Sequence, residues 1–215
     1  MQKFTKLSGV AAPLPETNVD TDVIFPARFL LLPNKTGLGA QLFHERRMRK
    51  DEDETPPFVL DTPPYDRSEI LVAGRAFGTG SSREQAVWAL ADFGIRCVIA
   101  PSFGEIFFAN CFKNGILPIV LSEKEHAAVL AEAIAARPIV VDLESLAITL
   151  ENGRSIGFEV EAHRRRSLLL GLDEIGSILI DDAGAITAFE TRQRETHPWL
   201  FLNQARLGRF GDEVE

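Results

Sequence analysis

A chain of 215 residues, 45% hydrophobic and 25% charged, can bury one substantial core and form one domain. No apolar run reaches roughly 18 residues, and positions 1–10 lack the basic-then-apolar pattern of a secretory signal, so the expected compartment is the cytoplasm. A net charge of −8 argues against a nucleic-acid surface, and an anionic ligand must be drawn by a local cationic pocket.

From the N-terminus, LSGVAAPL (7–14) predicts a strand, PETNVDTD (15–22) a polar turn and VIF (23–25) an apolar run stopped by Pro26. NVDTD resembles the first half of a calcium loop, but the glycine and glutamate that would complete it are absent. Asp20, Thr21 and Asp22 therefore read as turn formers. PNKTGLG (33–39) is rich in turn residues and reads as a mobile loop. The stretch from Glu45 to Pro64 is charged, carries prolines and has no hydrophobic period, which predicts an exposed excursion.

EILVAG (69–74) is a short continuous apolar run suited to a strand covered on both faces. After the loop RAFGTGSSR, EQAVWALADFG sets Ala86, Leu90 and Phe93 at helical spacing and stops at Gly94. CVIA (97–100) predicts the next strand. SFGEIFFANCFKNG predicts a helix that opens with Ser102 and Glu105 at capping-box spacing and closes at Gly115, and ILPIVL (116–121) a third strand. Strands alternating with helices imply a parallel sheet with right-handed crossovers, whose ligands bind at the carboxyl ends of the strands. Further on, SEKEHAAVLAEAIAAR reads as an amphipathic helix. PIVVDLESLAITLENGRSIGFEV reads as strand, turn and strand, with Asn152-Gly153 as the hairpin turn. Short helices are expected at 161–170 and 182–197. The expected fold is α/β: one domain over 1–215 with a core over about 1–125, a C-terminal layer of hairpin and helices over about 126–200, and a flexible tail over about 201–215.

Cys97 and Cys111 sit in apolar stretches where a buried thiol is the usual occupant, and a disulfide framework is not expected. His44, His126, His163 and His197 are scattered singly, so no metal cluster is expected on this chain.

The chemistry concentrates in GTGSSREQ (78–85). Ser81 with Glu84, and Ser82 with Gln85, both fit a helix capping box. Capping needs one hydroxyl, whereas this loop offers two beside Arg83. Gly78 and Gly80 remove side chains so that backbone N–H groups can approach an anion. Neither the nucleotide-binding glycine pattern nor the hydrolase elbow G-x-S-x-G is present.

GRAFGTGSSREQAVWALADFG and VIAPSFGEIFFANCFKNGILPI resemble the swivelling domain of the aconitase superfamily, and in particular its 3-isopropylmalate dehydratase small subunits. NVDTDVIFPARFL and LDEIGSILI resemble that family in the same order, so the likeness spans nearly the whole chain. The resemblance implies a hydro-lyase subunit of leucine biosynthesis, active only with a separate large subunit that holds a [4Fe-4S] cluster. It implies Ser81 as the alkoxide base and Arg83 as a ligand for a substrate carboxylate, with Ser82, Gly78 and Gly80 beside them. Lys35 falls near the place where the family often has an arginine before T-G, and Arg28 is a second candidate cation; each could equally be a solvated surface charge. Arg75 and Arg164–Arg166 read as solvated or partner-facing. Gln85 stands where the family usually has His, and Thr79 where small subunits often carry Cys. These departures leave open a hydro-lyase acting on citraconate, a dimethylmaleate or homoaconitate, and a non-catalytic anion-binding module is the remaining alternative.

Overall fold

A computed structural model describes residues 1–31, 35–48, 56–80 and 83–201. The chain divides into two compact units, Met1–Asp173 and Glu174–Glu215.

The predicted first strand is two strands that serve different sheets. β1 (Lys6–Val10) pairs antiparallel with β6 (Pro138–Asp142), whereas β2 (Ala12–Leu14) pairs parallel with β3 (Ile70–Ala73). Ala11, fully buried, is the residue at which the chain passes from one sheet to the other. A period-2 pattern cannot reveal this, because both halves look apolar from the sequence.

β2 and β3 are followed by β4 (Cys97–Ala100) and β5 (Leu117–Val120), giving an all-parallel sheet in the order β2-β3-β4-β5. Its connections include two short helices, α1 (Thr21–Ile24) and α2 (His44–Arg47), and two longer ones, α3 (Glu84–Phe93) and α4 (Glu105–Lys113). Alternate residues of β3 and β4 face opposite sides of this sheet. Leu71, Ala73, Val98 and Ala100 pack with the apolar faces of α3 and α4 in one core. Ile70, Val72, Cys97 and Ile99 pack in a second core with α5 (Glu123–Ile134) and the antiparallel sheet. Burial on both faces explains the near-continuous apolar runs of these strands. Each fully buried Leu, Ile, Val or Phe contributes about 1.5–3 kcal/mol relative to exposure.

The antiparallel sheet runs β1-β6-β7-β8, with β7 (Ala147–Thr149) and β8 (Ser155–Gly157) forming the predicted hairpin. Gly153 takes φ 81°, and the Asn152 carboxamide oxygen accepts from the Arg154 amide at 2.9 Å. The hairpin thus extends a larger sheet, because β1 and β6 complete it. α6 (Ala162–Leu170) closes the first unit, and Arg165 donates to the carbonyls of Leu143 and Glu144 at 3.1 and 2.8 Å. In the second unit, α7 (Glu174–Asp181) and α8 (Ala183–Thr196) are followed by a single turn over Pro198–Leu200.

Two local expectations are corrected. Ser102 does not cap α4, whose N-cap is Gly104; its hydroxyl accepts instead from the Ala76 amide at 2.9 Å, tying α4's approach to the loop after β3. The charged stretch beginning at Glu45 is, where described, held against the first unit. Arg47 grips both carboxylate oxygens of Asp61 and donates to the carbonyls of Gly39 and Leu42, while Leu60 is buried.

Candidate active site

The loop leaving the carboxyl end of β3 is laid between the loops that follow β2 and β4, and its backbone continues the parallel ladder beyond the strands. On one side the Gly74 amide donates to Leu14, the Asn18 amide to Arg75, the Gly78 amide to Val19 and the Thr21 amide to Thr79, at 2.7–3.0 Å. On the other side the Phe77 amide donates to Ser102 and the Gly104 amide to Phe77, at 3.1 and 2.9 Å. Backbone groups that a free loop would give to water are therefore committed, which fixes the loop's path.

Glycines permit this close laying. Gly78 takes φ 73°, and a Cβ there would overlap the Phe107 ring, which meets Phe77 edge to face at 5.4 Å between centroids. A Cβ on Gly104 would overlap the Gly78 carbonyl. Gly80 takes φ 92° and faces the Cβ of Asp20. The predicted anion loop is thus built on α4's approach as well as on its own glycines.

Ser81 and Ser82 lie outside the described residues. Arg83 follows as the N-cap of α3, in extended backbone with no side-chain cap bond, so the helix starts at Glu84. The Arg83 guanidinium pairs through Nη1 with Oδ1 of Asp22, and the arginine side chain is 18% exposed against 50% for the aspartate. Asp20 caps α1 by accepting from the Val23 amide at 2.8 Å. The two carboxylates of NVDTD therefore act differently: Asp20 shapes the turn, as expected, and Asp22 reaches Arg83. Two positions beyond a cap, on a short helix's open face, is the only sequence signal that could have marked Asp22. Glu84 accepts from the Asn114 carboxamide at 2.9 Å, tying the first turn of α3 to the end of α4.

The two further cations differ. Arg28 is exposed, pairs with Glu45 and lies over the Phe29 ring at 4.7 Å. Lys35 stands over the indole of Trp88, with Nζ 4.3 Å from the ring centroid. The part of the predicted mobile loop that is described is packed on α3. The Gly39 amide donates to Asp92 at 2.8 Å, and a Cβ on Gly39 would come 2.7 Å from the Phe93 nitrogen. Arg75 pairs with Glu123, both exposed, and Arg164 pairs with Glu161 while covering the rings of Phe108 and Phe112.

Below the loop, His126 is buried on α5, and its Nε2 lies 2.7 Å from the carbonyl of Ala73, the last residue of β3. Burial pulls its pKa below the usual imidazole value, only partly opposed by this carbonyl and by Glu123. Burial pushes both cysteine thiols far up, so neither offers a thiolate near neutral pH. Among the described residues, no group of three or more His, Cys, Asp or Glu side chains could hold a metal ion.

The aconitase C-terminal domain family matches residues 1–124, and the C-terminal domain of 3-isopropylmalate dehydratase small subunits matches residues 181–203. The chain is 53% identical to the 3-isopropylmalate dehydratase small subunit of Jannaschia sp., and 52% identical to that of Paramagnetospirillum magneticum. Each alignment covers 93% of this chain and 100% of the relative. The crystal structure of 3-isopropylmalate dehydratase from Methanocaldococcus jannaschii is similar with a TM-score of 0.62 at 27% identity, covering 86% of this chain and 99% of that one. With about half of its residues identical over the full length of such relatives, this chain belongs to the family of 3-isopropylmalate dehydratase small subunits.

Proposed function

We propose that this chain supplies the base and a carboxylate-binding cation of an isopropylmalate isomerase, which interconverts 2-isopropylmalate and 3-isopropylmalate by loss and readdition of water in leucine biosynthesis. The observation that carries the reading is Arg83. It is largely buried at the start of a ten-residue helix, on a loop held at the carboxyl end of a parallel sheet, and gives one guanidinium nitrogen to Asp22. Its other N–H groups, for which no partner is found among the described residues, are proposed to grip a substrate carboxylate, in charge-assisted bonds of about 1.5–3 kcal/mol each.

Ser81 is the proposed base. Its alkoxide takes the proton from the substrate carbon, and the neighbouring carbon releases its hydroxyl, which takes up a proton from a general acid of the assembled site and leaves as water, so that a double bond forms. Readdition of water in the opposite sense, with the proton returned from Ser81, gives the isomer. A serine hydroxyl is too weak a base for this unless N–H groups and a cation stabilise the alkoxide away from water. The amides opening α3 and the adjacent guanidinium are suited to that role, and Gly78, Gly80 and Ser82 are proposed as further substrate-binding positions. The partner is a large subunit carrying a [4Fe-4S] cluster, which when bound would supply a Lewis acid for the substrate's hydroxyl. No described group on this chain fits such a cluster. The proposed compartment is the cytoplasm; no helix among the described residues is long and apolar enough to cross a membrane.

The test is Ser81→Ala in the complex reconstituted with the large subunit. We expect kcat to fall roughly 10²–10⁴-fold with assembly intact. Undiminished turnover would leave a non-catalytic anion-binding role. Assaying citraconate, dimethylmaleate and homoaconitate alongside isopropylmalate addresses what Gln85, half-buried on the first turn of α3, does to substrate choice.

A further inference from the structure

Among the described residues, Lys35 differs from the other cations discussed for the site in having no carboxylate partner: Arg83 pairs with Asp22 and Arg28 with Glu45. Its ammonium lies instead over the indole face of Trp88. An aromatic face attracts a cation without consuming its N–H donors or neutralising its charge, so an ammonium held this way keeps its donors for an incoming anion. The indole is presented face outward because its edge is turned inward: Nε1 is buried and has no partner among the described residues.

The segment that carries Lys35 is anchored on the same helix. Gly39 is pinned through its amide to Asp92 and by backbone contact with Phe93, and its carbonyl accepts from Arg47 at 3.2 Å. Arg47 itself lies over the Phe93 ring at 5.2 Å. α3 therefore mounts two cations: Arg83 at its N-cap, and Lys35 through Trp88, the fifth residue of the helix. Two cations fixed on one rigid element suit a dicarboxylate better than two on independent loops, because their spacing is set before the ligand arrives.

We propose that Trp88 is a positioning residue, holding the Lys35 ammonium for the second carboxylate of the substrate; this rests on the isomerase reading above. It acts through Lys35 and touches no reacting atom. Its contribution should thus appear in KM more than in kcat and should vanish when Lys35 is removed.

The experiment is a double-mutant cycle in the reconstituted complex. Trp88→Leu is expected to raise KM for isopropylmalate roughly two- to fivefold, the effect of an exposed cation–π contact, with kcat little changed. Trp88→Phe, which keeps an aromatic face and loses only an N–H that bonds nothing among the described residues, should restore most of the loss. Lys35→Met should raise KM by roughly tenfold or more, and adding Trp88→Leu to it should cost nothing further. An equal loss from Trp88→Leu in both backgrounds would overturn the proposal, as would an unchanged KM in folded Trp88→Leu. An NMR spectrum of the free subunit gives a readout independent of activity: the Lys35 ε-methylene protons should lie upfield and move downfield in Trp88→Leu. If that ring-current shift is present but Lys35→Met leaves KM unchanged, the substrate contact of Lys35 is wrong. If the shift is absent, the positioning by Trp88 is wrong, whatever Lys35 does.

Discussion

Asp20 and Asp22, two residues apart, divide between capping a turn and meeting an arginine 61 positions away, and only their surroundings separate the roles. The same holds for the histidines. His126, read from the sequence as one of four scattered imidazoles, is buried against the end of β3 and held neutral by burial. Its folded pKa lies below the ordinary 6.5, so the unfolded chain binds more protons as pH falls. The stability it contributes is complete above pH 6.5 and is lost as pH drops through that value toward the folded pKa. We expect the melting temperature of the wild-type chain to fall on going from pH 7 to about pH 5, and the slope to be shallower in His126→Gln, which keeps a donor for the Ala73 carbonyl but does not titrate. Thermal unfolding across that range checks it; equal slopes would remove His126 from the account. The glycine-rich turn at Gly78 and Gly80 was legible from composition. Asp22 was not, because an aspartate in a turn-rich stretch has a sufficient local explanation.

At the scale of elements, the α3 and α4 connections are mutually braced. Glu84 on the first turn of α3 is bonded to Asn114 at the end of α4, and the loop before α4 lies against Gly78 and Phe77. Gly104→Ala would drive a methyl group into the Gly78 carbonyl, and overpacking of this kind costs about 1–3 kcal/mol. Backbone must move to relieve it, and the part pushed is Gly78–Thr79, which leads directly into the Ser81 segment. We expect Gly104→Ala to lower kcat of the assembled enzyme by at least roughly tenfold, although it lies in neither the Ser81 nor the Arg83 segment, since sub-ångström misplacement of a reacting group is costly. Steady-state kinetics alongside circular dichroism of the variant tests this; wild-type turnover in the folded variant would show that the brace does not reach the site. Most helices and strands were legible because their periods and stop signals are local: Gly94 takes φ 114° as a left-handed stop and Ser122 caps α5. The split of 7–14 between two sheets and the anchoring of 35–41 on α3 were not, because both depend on residues far along the chain.

For the whole molecule, the described part of this chain presents a glycine-rich loop and cations, and no group of three or more His, Cys, Asp or Glu side chains able to hold a metal. We expect purified chain to have no isomerase activity, and activity to appear on mixing with a cluster-bearing large subunit. Turnover by the chain alone after treatment with a chelator would refute the division of labour. The amino-acid sequence by itself determined the alternation of strand and helix, the two-sided burial of the parallel strands, the glycine and serine loop and the family, because hydrophobic period, turn chemistry and motif order are written within short windows of residues. Only the tertiary structure decided which carboxylate meets Arg83, that Lys35 rests on Trp88, that Ser102 holds a loop rather than caps a helix, and that one apolar run serves two sheets. Each of these is a contact between segments distant in sequence, and its energy depends on distance, burial and direction, which a local pattern of residues does not contain.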